Sequence, residues 1–94
     1  MIRVVAHISA CPDKIEELKS VALALAPPTR QERGCRKYEW HQNTADPTDI
    51  TCIEEWDSDA ALDAHLESPH VKAALARTPD LATGVDIRRY KFLG

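Results

Sequence analysis

Residues 2–9, IRVVAHIS, are a short run rich in β-branched side chains and predict a strand. Cys11-Pro12-Asp13 interrupts it. Asp13 and Glu16 stand at capping-box spacing, and Ile15, Leu18, Val21, Ala22 and Leu25 recur every three or four positions. Residues 13–26 therefore predict an amphipathic helix. Pro27-Pro28 should stop it, because proline lacks the amide hydrogen and disfavours helix in the residue before it. Gly34 opens a second strand, Cys35 to Gln42. The turn cluster Asn43-Thr44-Ala45-Asp46-Pro47-Thr48 joins it as a hairpin to a third, Asp49 to Trp56. Ser58 is a good N-cap for a helix over 59–67, with Leu62, His65 and Leu66 on one face. Ser68-Pro69 restarts that helix, Ser68 capping and Pro69 at the first helical position, and Val71, Ala74 and Leu75 continue its apolar stripe. Thr78-Pro79-Asp80 breaks it. Val85 to Leu93 alternates again and predicts the last strand.

The order is β-α-β-β-α-β, an α+β ferredoxin-like plan with an antiparallel sheet and both helices on one face. Apolar side chains fall on both faces of the expected strands: Ile2, Val4 and Ala6 against Val5, and Cys52 against Ile53. A second copy packed sheet to sheet would cover the face that the helices leave open.

Composition fits this plan. The chain has 94 residues, 44% hydrophobic and 29% charged, enough for one domain over 1–94 and too little for two. The net charge of −3 and the scattered basic residues argue against a nucleic-acid footprint. No apolar run approaches the roughly 20 residues of a membrane span, and no secretory h-region opens the chain, so a cytoplasmic address is expected. Cys11, Cys35 and Cys52 are odd in number and form no C-x-x-C pair. They read as small apolar fillers rather than as a disulfide framework, a zinc site or nucleophiles. A domain this small buries only about 60–65% of its unfolded surface, a further reason to expect a homodimer.

Several segments together resemble the antibiotic biosynthesis monooxygenase family. They are Glu32-Arg33-Gly34-Cys35-Arg36-Lys37-Tyr38-Glu39, then Glu55-Trp56, then Ala61-Leu62-Asp63-Ala64-His65-Leu66-Glu67-Ser68-Pro69-His70. The family pattern runs E-x-G-C-x-x-Y, E-x-W and A-L-x-x-H-x-x-S-x-H. The resemblance implies a dimeric α+β barrel, two ferredoxin-like subunits with sheets face to face, and a small cavity between each sheet and its own helices. It also implies a cofactor-free monooxygenase. An electron-rich aromatic, hydroquinone- or anthrone-like, is deprotonated, and its anion reacts directly with dioxygen. In haem-degrading relatives an axial histidine, an asparagine and a tryptophan stand where this chain has Leu75, His7 and His65, so neither haem nor another metal is expected.

Such chemistry needs a base, donors for the developing oxyanion and a dry pocket. His65 shares the face of Leu62 and Leu66. It is either the base, kept neutral by burial, or a core histidine bonded to a carbonyl or carboxylate. Trp56 and Tyr38 would line the pocket or simply fill the core, and Tyr38 could serve as oxyanion donor. His70 would shape the pocket mouth or cap an exposed helix start. His7 could face the helices or the dimer barrel. Glu54 and Glu55 alternate, so one should point inward, where Arg88 or Arg89 is the expected partner and a Glu–His contact the sharper alternative. Two other readings of the same pocket are a small-molecule isomerase and a binding module without chemistry.

Overall fold

Val4, Ala6 and Ala10 of the first strand turn to one side and are buried, while Arg3, Val5, His7 and Ser9 turn to the other. That alternation organises the molecule. The computed structural model describes residues 1–94 as β1 (Ile2–Ala10), α1 (Ile15–Arg30), β2 (Cys35–Gln42), β3 (Asp49–Trp56), α2 (Asp59–Leu66), α3 (Pro69–Leu81) and β4 (Ala82–Tyr90). The strands form one antiparallel sheet in the order β2-β3-β1-β4. This is the expected ferredoxin-like fold, with the second helical region divided at Ser68. No helix is long and apolar enough to cross a membrane.

Cross-strand register assigns the two faces. Val4 lies opposite Glu54 and Arg89, Ala6 opposite Cys52 and Ile87, and Tyr38 opposite Glu54. All of these belong to the helix-covered face. Val4, Ala6, Ala26, Tyr38, Cys52, Trp56 and Leu62 pack there as one core cluster. Ala10, Leu18, Ile50 and Leu81 form a second one toward the other end. The opposite face carries Val5, Ile53 and Tyr90 among charged residues and has no cover within the chain.

The proline-based boundaries were misplaced. The first helix begins at Ile15 without a side-chain cap, so the Asp13/Glu16 capping box does not form, and it runs through Pro27 and Pro28 to Arg30. The carbonyls deprived of an amide partner belong to Leu23 and Ala24, which are exposed and open to water, whereas Ala26 and Thr29 keep the buried stripe going. Pro79 sits inside the third helix for the same reason: the carbonyl it leaves free is that of the exposed Leu75. Ser68 does not cap with its side chain; its hydroxyl donates back to the His65 carbonyl at 2.6 Å. Ser58 caps as expected, accepting from the Ala61 amide. The last strand starts three residues earlier than the pattern suggested and ends at Tyr90.

One glycine has a steric task. Gly34 adopts φ +86°, and a Cβ there would lie 2.7 Å from the Ala61 Cβ. Its carbonyl accepts from the Asp57 amide at 2.8 Å. The chain can thus turn sharply from α1 into β2 directly beneath α2, and the loop residue Glu32 is brought under that helix.

Candidate functional site

His65 projects from α2 toward the sheet and is only 4% exposed. Its ring lies 4.7 Å from the Trp56 ring, tilted by 38°, and 5.6 Å edge-on from Tyr38. Its Nδ1 meets Glu32 Oε2 at 2.7 Å. The same carboxyl oxygen meets His70 Nε2 at 2.9 Å. His65, His70, Trp56 and Tyr38 thus gather around one point, and Glu32 joins the two imidazoles. With Nδ1–H donated to Glu32, the proton-accepting nitrogen of His65 is Nε2, which makes no hydrogen bond of its own. Burial pushes the His65 pKa below its ordinary value, against the pull of Glu32, which bonds it and favours the charged form. The ring is therefore held as the neutral base near neutral pH.

Beside His65 lies a hollow of about 60 Å³, walled by residues such as Val4, Tyr38, Trp40, Leu62 and Val71. Ten of its twelve wall residues are hydrophobic; the other two are His65 and Glu54. Leu75 and Ile87 stand in the wall on its solvent side, 43% and 42% exposed. A larger concavity of about 450 Å³ runs along the β2 edge. It is open, and its cations are already engaged: Arg30 with the Tyr38 carbonyl, Arg36 with Asp57 and Lys37 with Glu55. We therefore place the candidate site at the smaller, apolar-walled hollow.

Glu54 is the inward-facing acid, but the expected arginine partner is elsewhere. Arg88 binds Asp86, and Arg89 donates to Asp59 and Asp63 at the surface. Glu54 Oε1 accepts from Trp56 Nε1–H at 2.9 Å. Burial above all, and the nearby Glu32 charge, raise its pKa to about 7. Burial likewise pushes the Tyr38 phenol up and keeps it protonated, with Thr29 Oγ1 and Trp40 Nε1 buried beside it and lacking well-formed hydrogen bonds. The Cys52 thiol is pushed up by burial and by Glu54, and Cys35 is shifted the same way, so neither is an activated thiolate.

His7 is not brought into this group. It faces the uncovered side of the sheet, with Nδ1 3.1 Å from Thr51 Oγ1 and 3.0 Å from Asp49 Oδ1. His70 is half-buried and joined to Glu32 rather than exposed at a helix start. The Glu–His contact exists, but its acid is Glu32, which sequence reasoning quoted as part of a motif and gave no role. The available signal was its place two residues before Gly34. Glu32, His65 and His70 also offer three donor atoms within 4.8 Å of one another. The two short hydrogen bonds among them already account for that spacing.

Residues 1–77 match the family described as antibiotic biosynthesis monooxygenase. The chain belongs to that family. A Mycobacterium tuberculosis member named "Putative monooxygenase Rv0793" is 34% identical over 82 residues, covering 87% of this chain and 80% of its own. Its solved structure superposes with a TM-score of 0.93 at 30% identity, over 99% of this chain and 95% of that one. A Synechocystis protein, "Uncharacterized protein sll1783", is 32% identical over 91 residues, 96% of this chain but 62% of its own length. The Escherichia coli protein "Probable quinol monooxygenase YgiN" is 37% identical over 57 residues, about half of each chain. Members of the antibiotic biosynthesis monooxygenase family thus share the sheet and helices that frame the hollow described above.

Proposed function

We propose that this protein is a cofactor-independent monooxygenase that oxidises a small electron-rich aromatic, hydroquinone- or anthrone-like, with dioxygen. The observation that carries the reading is His65. It is a buried imidazole on the wall of an apolar hollow, its Nδ1 held by Glu32 and its Nε2 unengaged. Family membership and the monooxygenase names of relatives support it.

In this reading Nε2 takes the acidic C–H or O–H proton of the substrate. The resulting anion gives one electron to dioxygen, and the two radicals combine as a C–O–O bond. Protonation gives a hydroperoxide, which loses water and leaves a carbonyl; one oxygen atom ends in the product and one in water. The protein's part is to accept the first proton, to exclude water that would reprotonate the anion, and to hold the ring against Trp56 and Tyr38. An apolar cavity of about 150 Å³ takes a benzene, so the ring enters by outward rotation of Leu75 and Ile87, which solvent exposure permits. The same reading has two copies joined through the uncovered sheet face, where Val5, Ile53 and Tyr90 lie, and a cytoplasmic address.

The test is oxygen uptake with a hydroquinone series. Wild-type protein consumes oxygen, and His65→Ala loses about a hundredfold or more in kcat while circular dichroism shows the fold retained. Unchanged turnover in that variant defeats the role of His65. Product formation without oxygen would reassign the pocket to isomerisation, and ligand-induced stabilisation without product to binding alone.

A further inference from the structure

Glu54 is the one carboxyl buried in this chain, 4% exposed, and no cation meets it. Its neighbours are Val4 on β1, Tyr38 on β2, and Cys52 and Trp56 on β3. The facing side chains of the hollow from α1, α3 and β4, Leu25, Val71, Leu75 and Ile87, are apolar. The titratable groups around it are therefore Tyr38, Cys52, His65 and, from the α1–β2 loop, Glu32; only His65 can become positive, and burial opposes that. One oxygen of Glu54 accepts the indole N–H of Trp56. The Cys52 thiol is the carboxyl's other hydrogen-bonding neighbour, a weak donor, and Glu54 stands in the wall of the hollow. A buried ionised carboxylate without a cation costs several kcal/mol, so below about pH 7 the group is chiefly the neutral acid, which has an O–H to donate. The Trp56 N–H needs an acceptor here, but a glutamine would supply one without the cost of burying an ionisable group.

We propose that Glu54, in its neutral acid form, donates its O–H to an oxygen atom of the molecule that occupies the hollow, so that the pocket selects aromatics bearing a carbonyl or phenolic oxygen. This rests on reading the hollow as the ligand site, not on oxidation taking place there. It gives the chemistry its second half. When His65 removes a proton, negative charge grows on the ligand oxygen, and a prepositioned acid among apolar walls stabilises that charge far better than water would. The indole N–H on the other carboxyl oxygen fixes the orientation of the acid.

The test compares two ligands of one shape: 1-indanone, which carries an aryl ketone and neither titrates nor reacts with thiols, and indane, which lacks the oxygen. Binding to wild-type protein, Glu54→Gln and Glu54→Ala is measured at pH 6 and pH 8.5, with the ketone stretch read by infrared difference spectroscopy. At pH 6 wild-type should prefer the ketone by about tenfold, with the stretch shifted to lower frequency. At pH 8.5 the carboxyl has lost its proton and the preference should vanish. Glu54→Gln keeps a donor that does not titrate and should prefer the ketone at both pH values; Glu54→Ala should at neither. The proposal is overturned if wild-type binds the two ligands equally at pH 6 or binds neither, if its preference survives unchanged at pH 8.5, or if Glu54→Ala retains it. Binding requires no dioxygen. A Glu54-dependent ketone preference without oxygen uptake would sink the oxygenase reading and leave this inference standing; quinol oxidation without that preference would do the reverse.

Discussion

Replacing Glu54 by Gln should make the protein more resistant to alkaline conditions, and the size of the effect can be worked out in advance. The carboxyl titrates near 7 in the folded chain against an ordinary value of 4.5. A group whose folded pKa is raised contributes stability that is fully present below its unfolded pKa and is lost as pH rises through the folded one. Between pH 5 and pH 8 the linkage relation gives a loss of roughly 2.5 kcal/mol. Domains of this kind are stable by about 5–15 kcal/mol in total, so the loss is easily measured. Gln has the same shape, still accepts from Trp56 Nε1–H, and does not titrate.

The assay is urea unfolding of both proteins at half-unit steps from pH 5 to pH 8, at one protein concentration. The difference in unfolding free energy between wild-type and Glu54→Gln should fall steadily across the range. His65 works in the other direction. Its folded pKa is depressed, so its contribution is present above about 6.5 and lost as pH falls below that value. It is common to both proteins and cancels in the difference. Parallel stability curves for the two proteins would refute the argument that Glu54 is buried as an unpaired acid.

Glu32→Gln keeps an acceptor for His65 Nδ1 but removes the charge that favours the imidazolium, so kcat should fall by roughly tenfold or more and the acidic limb of the pH–rate profile should move to lower pH. An unmoved limb would show that Glu32 is electrostatically silent toward the base. Sedimentation equilibrium at micromolar concentration should give twice the chain mass. Ile53→Arg, on the uncovered face, should return it to a monomer with His65, Trp56 and Glu54 still in place; a monomeric wild-type would rule out the sheet-to-sheet pairing.

The strands and most of their faces were legible because side-chain direction in a strand has period two, although the apolar residues on both sides of β1 left the direction of His7 open. Alternating Val85, Ile87 and Arg89 do lie beside Ile8, Ala6 and Val4 on the covered side. Helix ends were not legible, because a proline's cost depends on whether the carbonyl it orphans can reach water. For Leu23, Ala24 and Leu75 that depends on which helix face the tertiary packing leaves outward. The partner of His65 was hidden for a related reason. Glu32 is 33 positions away, and nothing local says that the Gly34 turn folds its loop beneath α2. The inward direction of one acid in Glu54-Glu55 followed from alternation, whereas its partner did not. Arg89 shares the covered face but reaches out to Asp59 and Asp63 at the rim instead of in to Glu54.

One physical cause therefore shapes both His65 and Glu54 in the wall of the hollow. Burial is the largest influence on each; it lowers the imidazole and raises the carboxyl, and so disfavours charge on either. Here Glu32, at the loop side of His65, accepts the Nδ1–H of a neutral ring, while Trp56 donates to one Glu54 oxygen. The two groups can then stay neutral together, one able to take a proton and the other able to give a hydrogen bond. That pairing holds only above the depressed pKa of His65 and below about 7 for Glu54. On that proposal the alkaline limit of the site is set by Glu54, which takes no proton from the substrate.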